Sequence, residues 1–484
     1  MNERKDFLDR LKKVEELNVL GINPYPHYFP VNATIKEIVQ FPENYMGKNV
    51  SIAGRVMALR YHGKVGFGDL SMDNFKIQLF LKFEILNDKY DFFKKFVDKS
   101  DFIGVNGDIV RTDKGELSIL VKEFVILTKS LYDLPHAWFG LEDVETRYRQ
   151  RYLDMLLNRD VFEIFRKRSI IVNEIRKTLE EKGYLEFETP ILQPVYGGAN
   201  AKPFITHVNA INRNYYLRIS DELYLKRLLV AGYPKVFEIG KDFRNEDIDS
   251  RHNPEFTMIE IYEAFRDYND MMDLTENLIK HLAQKINGSL SVKVGDNEIN
   301  LSGKWPKVKL LEKLKENGID AKKISDDEIK KFLEEYDIKM PTYVRGIALT
   351  KIFEEMFEHT FINPTFVIDY PRESTPLCKL HRGDPELVER FELFINGIEI
   401  ANGYTELNDP VLQEKFFNEE VKRRVLGDEE AQQMDRDFIE ALRIGMPNAG
   451  GVGIGIDRIS MILTGAKSIK EVIFYPILAP KDEQ

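Results

Sequence analysis

The stretch that most constrains this chain runs from Phe237 to Tyr262: Phe-Glu-Ile-Gly-Lys-Asp-Phe-Arg-Asn-Glu-Asp-Ile-Asp-Ser-Arg-His-Asn-Pro-Glu-Phe-Thr-Met-Ile-Glu-Ile-Tyr. It begins apolar, turns polar, and ends apolar with alternation, the pattern of two strands joined by a long loop. Side chains alternate along a strand, so Phe256, Met258, Glu260 and Tyr262 share one face and Thr257, Ile259 and Ile261 the other. One face is therefore expected to be buried, and the other to offer a carboxylate and a phenol to a cavity. Arg244 and Glu246, two apart, share a face near the end of the first strand, and the loop adds Arg251, His252 and Asn253. These groups suit a ligand carrying phosphates and an amine. The planar guanidinium fork grips phosphate oxygens in pairs and never loses its charge.

At 484 residues the chain has room for two or more domains with sizeable cores. The only cysteine is Cys378, so no internal disulfide can form, which fits a reducing compartment such as the cytoplasm. One cysteine is also too few for a cysteine zinc site, and there is no His-Glu-x-x-His. No run of about 18 apolar residues exists, so no membrane span is expected. The start, Met-Asn-Glu-Arg-Lys-Asp, has no signal-peptide core. The net charge of −11 argues against indiscriminate coating of nucleic acid. The imbalance is uneven: residues 1–130 carry 20 Lys and Arg against 18 Asp and Glu, and the rest 49 against 62. A near-neutral front module can still touch a nucleic-acid backbone if its basic residues cluster.

Residues 3–20 read as a helix stopped by Gly21. Residues 48–128 read as all-β, with strands at Val50–Arg55, Lys76–Leu81, Phe102–Val110 and Leu117–Val121, and a helical piece near 88–98. Five strands with a helix between the third and fourth suggest an OB-fold barrel, a surface that stacks bases on aromatics. Phe67 and Gln78 fall on neighbouring strands of it. Residues 129–160 are a charged connector, and 161–182 a long helix with Val161, Ile164, Phe165, Ile171, Ile175 and Leu179 as its buried stripe, ended by Gly183. The rest, to residue 484, reads as one α+β domain, with a lysine-rich insertion at 280–345 lying over its rim.

Three further stretches carry candidate chemistry. In Pro194–Pro203, Gly198 lets a ligand approach the backbone. Glu222 stands at a strand-to-helix junction, where a carboxylate usually serves the helix dipole. Asn396-Gly397 is a strong two-residue hairpin signal. That turn sets Phe394 opposite Glu399 and leaves Glu392 on the same face, offset by about 7–8 Å. Two such carboxylates can share hard cations. Glu399 and Tyr404 have opposite parity on this strand, and a bend at Ala401–Gly403 would bring them to one side. Gly450-Gly-Val-Gly-Ile-Gly-Ile-Asp-Arg458 does not fit the dinucleotide-binding Gly-x-Gly-x-x-Gly pattern.

The run F-R-N-E…R-H-N-P-E-F-T-M-I-E-I-Y resembles motif 2 of the class II aminoacyl-tRNA synthetases, and the lysyl-tRNA synthetases, bacterial-type, in particular. The helix, short strand and Pro190 resemble motif 1, which the family uses to form a homodimer. Gly450–Arg458 resembles motif 3, with Asn448-Ala449 in place of the commoner Pro-Thr. The resemblance spans about residues 1–480. It implies an OB-fold anticodon-binding domain over 48–128 after a lead-in at 1–47, a hinge at 129–160, and a catalytic domain on an antiparallel sheet over 161–484.

The resemblance further implies ATP, L-lysine and tRNA(Lys) as substrates, with Mg²⁺ as cofactor. Arg244 would hold the α-phosphate and the amino-acid carboxylate, and Arg458 the γ-phosphate. Glu392 and Glu399 would hold Mg²⁺. Glu246, His252, Asn253 and Phe256 would take the adenosine. Glu260 and Gly198 would meet the α-amine, and Asn402 the carboxylate. Glu222, Glu406 and Tyr262 would fix the ε-ammonium beside Tyr404. Phe67 and Gln78 match the pair with which these synthetases hold the central anticodon uridine. Two alternatives share these residues. A ligase putting lysine on a protein would generally lack the barrel, and a non-catalytic tRNA-binding protein would have no need of the complete site set.

Overall fold

The computed structural model of the protein describes residues 5–134, 141 and 143–480. The hinge positions 135–140 and Glu142, with 1–4 and 481–484, lie outside the described residues. The chain divides into two compact units, Met1–Phe162 and Glu163–Gln484.

The first unit holds helix α1 (Lys5–Val19) and strands β1 (Asn49–His62), β2 (Val65–Met72) and β3 (Phe75–Lys82). Helix α2 (Asp88–Phe96) then precedes β4 (Phe102–Arg111) and β5 (Leu117–Thr128). The strands close a barrel in the order β1-β2-β3-β5-β4. Alternation builds it: Leu70, Ile77, Leu79, Leu81, Val105 and Ile119 point inward and are buried. Residues of the opposite parity face out. Phe67, opposite Phe80 in the β2–β3 register, lies on that outer face with Gln78, which stands opposite Asp69. The connector contributes helices α3 (Val144–Arg149) and α4 (Arg151–Leu157).

The division between the units falls inside helix α5 (Arg159–Glu181), two residues beyond the boundary expected from sequence. Its stripe Ile171, Ile175 and Leu179 is fully buried. The second unit continues with β6 (Leu185–Glu186), β7 (Arg213–Leu217), α6 (Glu222–Val230), β8 (Lys235–Phe243), β9 (Glu255–Ala264) and α7 (Tyr268–Asn287). Then follow β10 (Lys307–Lys309), α8 (Arg345–Phe357), β11 (Thr365–Pro371), β12 (Leu387–Ile395), β13 (Ile398–Thr405), β14 (Ala449–Gly455) and α9 (Ile456–Thr464). Eight strands form one sheet in the order β10-β11-β12-β13-β14-β9-β8-β6. It is antiparallel except at its two ends, where β10 and β6 pair in parallel.

One face of this sheet is core. Ile259 and Ile261 of β9, Val452 and Ile454 of β14, and Phe391 and Leu393 of β12 pack with α5 and with Met271, Leu278 and Leu282 of α7. The segment 280–345 differs from a rim insertion. Residues 280–287 are the last turns of α7, Val292, Val294, Ile299, Leu301 and Trp305 join the main core, and β10 is an edge strand of the main sheet. Lysine content reports only the solvent side of these elements, while apolar residues on their other side, among them Leu310, Leu314, Ile319, Ile329 and Leu333, are buried.

Candidate active site

The opposite face of the sheet floors a cavity of ≈ 310 Å³. Its lining includes Gly198, Glu222, Arg244, Glu246, His252, Asn253, Phe256, Glu260, Tyr262, Glu392, Glu399, Asn402, Tyr404, Glu406 and Arg458, every catalytic-domain position singled out from the sequence.

Strand β14 explains how a sheet can carry a cavity. Gly451, Gly453 and Gly455 fall on one face, Val452 and Ile454 on the other. A Cβ on Gly451 would lie 2.1 Å from Glu406 Oε1 and 2.4 Å from the Tyr262 ring; one on Gly453 would lie 2.5 Å from Glu260 Oε1. The glycines are bare where neighbouring strands send in carboxylates. Gly198, at φ +91, likewise presses on Ser220, 2.7 Å from where its Cβ would sit.

The hairpin β12–β13 turns at Asn396-Gly397, both at positive φ, with Ile395 opposite Ile398 and Phe394 opposite Glu399. The parity conflict between Glu399 and Tyr404 is resolved, but one residue earlier than the expected bend at Ala401–Gly403. A β-bulge at Ile400 shifts the register, so that Leu393 faces Ala401, Glu392 faces Asn402 and Arg390 faces Tyr404. Glu392 thus stands directly across from Asn402, and Asn402, Tyr404 and Glu406 turn toward the cavity.

The polar end of the cavity is cationic. Arg244 lies over the Phe256 ring, 5.1 Å from its centroid, and its buried Nε has no hydrogen-bond partner among the described residues. Arg458 follows β14 at the start of α9 and donates to Glu399 O at 2.8 Å, to Glu399 Oε2 at 3.1 Å and to His252 Nε2 at 3.2 Å. A guanidinium only donates, so His252 Nε2 accepts and Nδ1–H donates to Asp249 Oδ2 at 2.8 Å. Asn253 is fixed by its donation to Glu255 O at 2.6 Å. Glu246 stands exposed at the rim. Burial opposes ionisation of Glu399, but Arg458, Arg390 and Arg244 outweigh it and hold its carboxyl below the usual range. Glu392 moves the other way: burial, aided by Glu399, raises it against the pull of Arg390. Its oxygens accept from Arg390, from Tyr370 Oη at 2.8 Å and from Asn402 Nδ2 at 3.3 Å. Among the described residues no three His, Cys, Asp or Glu side chains could hold a metal by themselves.

The deep end is anionic. Glu222, Glu260 and Glu406 are buried, and Glu260 Oε2 accepts from Tyr262 Oη at 3.0 Å. Burial raises all three carboxyls, Glu406 to about 8, with Glu222 adding to the rise at Glu260 and Glu406. Among the described residues, Asn402 Oδ1 and Glu406 Oε1 are buried without a hydrogen-bond partner.

Several neighbours escaped the sequence reading. Lys226, fully buried, contacts both Glu222 and Glu406. It stands four residues after Glu222 in α6, so the helical i,i+4 rule could have found it. Arg390 stands two before Glu392 and could have been found by strand alternation. Gln432, which accepts from Gly198 N at 3.1 Å, sits on a distant loop and leaves no sequence signal. On the barrel, Phe67 stacks on Phe80 with centroids 5.1 Å apart and planes 5° apart, and Gln78 Oε1 accepts from Ser118 Oγ at 2.9 Å.

The family described as tRNA synthetases class II (D, K and N) matches residues 143–479, and that of the OB-fold nucleic acid binding domain matches 50–127. The chain belongs to the class II tRNA synthetases of the D, K and N group. At the level of single proteins it is similar to Lysine–tRNA ligase 2 of Methanosarcina mazei, 50% identical over 483 residues, 98% of this chain and 94% of that one. The Lysine–tRNA ligase of Saccharolobus solfataricus is 49% identical over 482 residues, with 98% and 97% covered. That of Thermotoga maritima is 46% identical over 486 residues, with 99% and 97% covered.

Proposed function

We infer that this protein is a lysine–tRNA ligase: it activates L-lysine with ATP and transfers it to the 3′ end of tRNA(Lys). The observation that carries the reading is a single cavity, cationic at Arg244 and Arg458 and anionic at its buried end, with a phenol between carboxylates. Phosphates suit the first end and an ammonium the second.

In the first step the lysine carboxylate attacks the α-phosphorus of ATP, giving lysyl-adenylate and pyrophosphate. Such a reaction needs positioning and charge neutralisation more than a protein base. Arg244 holds the α-phosphate and the attacking carboxylate, and Arg458 the γ-phosphate. Phe256 stacks on adenine, with Glu246, His252 and Asn253 around the adenosine. Glu392 and Glu399 fit a divalent cation only in company with phosphate oxygens, since among the described residues the pair has no third His, Cys, Asp or Glu ligand. Mg²⁺ bound there would relieve charge on the triphosphate. Gly198 and Glu260 take the α-amine, Asn402 the carboxylate, Tyr404 the aliphatic stem, and Glu222, Glu406 and Tyr262 the ε-ammonium. Two buried carboxylates repel an acidic side chain at a cost of several kcal/mol, which selects lysine over aspartate. In the second step the terminal ribose hydroxyl of the tRNA attacks the lysyl carbonyl, forming the ester as the acyl–phosphate bond breaks and AMP leaves with its charge, and Phe67 and Gln78 read the anticodon.

The stacked Phe67–Phe80 platform on the outer barrel face supports tRNA over protein as acceptor. A homodimer is supported by Leu185, Ile191 and Leu192, apolar yet 51%, 45% and 46% exposed just after α5. Among the described residues no helix is long and apolar enough to cross a membrane. The decisive experiment is ATP–pyrophosphate exchange by the purified protein with each of the twenty amino acids, followed by tRNA charging. Lysine alone should support exchange strongly; exchange independent of lysine would overturn the reading.

A further inference from the structure

The floor of the amine pocket contains a cation of its own. Lys226 Nζ contacts Glu222 Oε1 and Glu406 Oε2, and its side chain is 0% exposed. Glu222 and Glu406 line the cavity, whereas Lys226 does not. The ammonium therefore reaches the two carboxylates from the protein side. Glu406 is itself fully buried, and its Oε1 has no hydrogen-bond partner among the described residues. That oxygen lies against bare Gly451 on the cavity floor. Two carboxylates against one internal ammonium leave one negative charge that a buried place must neutralise, by a bound proton or by an arriving cation.

Resting on the lysine reading of this pocket, we propose that Lys226 is a specificity-determining positioning residue, a built-in counter-cation that leaves the Glu222–Glu406 pair one positive charge short of neutral and open to a single ammonium. Lys226 occupies the inner oxygens and so fixes which oxygens face the substrate. Its attraction to both carboxylates also offsets their mutual repulsion, which keeps them side by side. Without it the pair would part or retain protons, and both responses weaken the site for a cation. The groups facing Lys226 Nζ are Glu222 on its own helix, Glu406 after β13, the Tyr262 ring of β9, 6.0 Å away, and the buried thiol of Cys378, whose backbone pairs with that of Glu406. Glu260, hydrogen-bonded to Tyr262, is the remaining carboxylate of the cluster.

The test compares the parent with Lys226→Gln, which keeps most of the length and loses the charge. The KM for lysine should rise about 10- to 100-fold, the size of a lost hydrogen bond to a charged group. The KM for ATP should stay within about threefold. The rising limb of kcat/KM for lysine against pH should move to higher pH. A lower melting temperature with an unmoved pH limb would overturn the proposal, since a packing role changes stability alone. The double variant Lys226→Gln with Glu406→Gln restores the charge count and removes one of the two titrating carboxyls; its pH limb should lie below that of the single variant. Should Lys226→Gln fail to fold, the double variant should fold and melt higher than the single one. A double variant no better than the single one would overturn the proposal. Lysine-dependent exchange by the parent is the control: its absence removes the lysine reading itself, whereas its presence with an unmoved limb removes only the role of Lys226.

Discussion

Replacing Gly451 by alanine puts one methyl group where the cavity floor is tightest. Its Cβ would lie 2.1 Å from Glu406 Oε1 and 2.4 and 2.6 Å from two Tyr262 ring carbons. Heavy atoms do not approach within 3.0 Å of a real Cβ, so the carboxylate must retreat by about 0.9 Å and the ring by about 0.6 Å. Neither side chain has slack: Glu406 is 0% and Tyr262 2% exposed, and Glu406 is tied to Lys226. Overpacking of this kind costs about 1–3 kcal/mol. At about 2–4 °C per kcal/mol for a domain of this size, the melting temperature should fall by several degrees while the fold survives. The larger effect is local. A carboxylate displaced by about an ångström from its productive place costs on the order of 10²-fold. Steady-state pyrophosphate exchange should therefore show a KM for lysine raised about 10²-fold and a KM for ATP changed by less than about threefold. The nearest atoms that a Cβ at Gly451 would meet belong to Glu406 and Tyr262, at the anionic end, away from the residues assigned to ATP. A folded Gly451→Ala protein with parental KM for lysine would refute the placing of the substrate tip at Glu406. Equal losses for lysine and ATP would refute the division of the cavity into two ends.

Glu222→Gln should weaken lysine binding by about 1.5–3 kcal/mol, the range for a hydrogen bond to a charged group, and leave ATP binding nearly unchanged; similar losses for both ligands in equilibrium titrations would contradict the assignment. Arg244→Ala should abolish lysine-dependent ATP–pyrophosphate exchange, and retention near the parent rate would rule out its joint hold on phosphate and carboxylate. The raised carboxyl of Glu406 gives pH predictions with a definite sign. Because the empty folded state holds a proton up to about 8 that the unfolded chain releases near 4.5, the contribution of this group to stability is present at low pH and lost as pH rises through 8. An entering ammonium displaces that proton, so kcat/KM for lysine should rise with pH toward about 8. Calorimetry in buffers of different ionisation enthalpy should show proton release on lysine binding, and proton uptake would reverse the argument.

The strand Glu255–Ala264 was legible in the sequence because alternation is a local property: Ile259 and Ile261 had to face a core and Glu260 and Tyr262 the other way. The hairpin at Asn396-Gly397 was legible for the same reason, since a two-residue turn fixes register through its own backbone angles. The resemblance then supplied the remaining positions, and the structure gathers them around one cavity. The bulge at Ile400 was legible only as a need, not as a place. One extra residue can be absorbed at several points of a strand, and packing against both neighbouring strands selects among them. The segment 280–345 misled for a related reason: its lysines report solvent, while membership of the main sheet depends on which edge of Thr365–Pro371 is free.

What the sequence by itself determined, then, was periodicity and residue chemistry: which faces are apolar, where the chain turns, and which arginines and carboxylates are available for a charged ligand. Only the tertiary structure decided the electrical state of the site. Glu222 and Glu406 lie 184 positions apart and share Lys226 because a helix start and a strand end meet at one buried point. Arg390 neutralises Glu392, and Arg458 reaches Glu399 and His252, by the same convergence. Charge interactions depend on distance through space and on the dielectric of the surroundings, and neither is written in the spacing of residues along a chain.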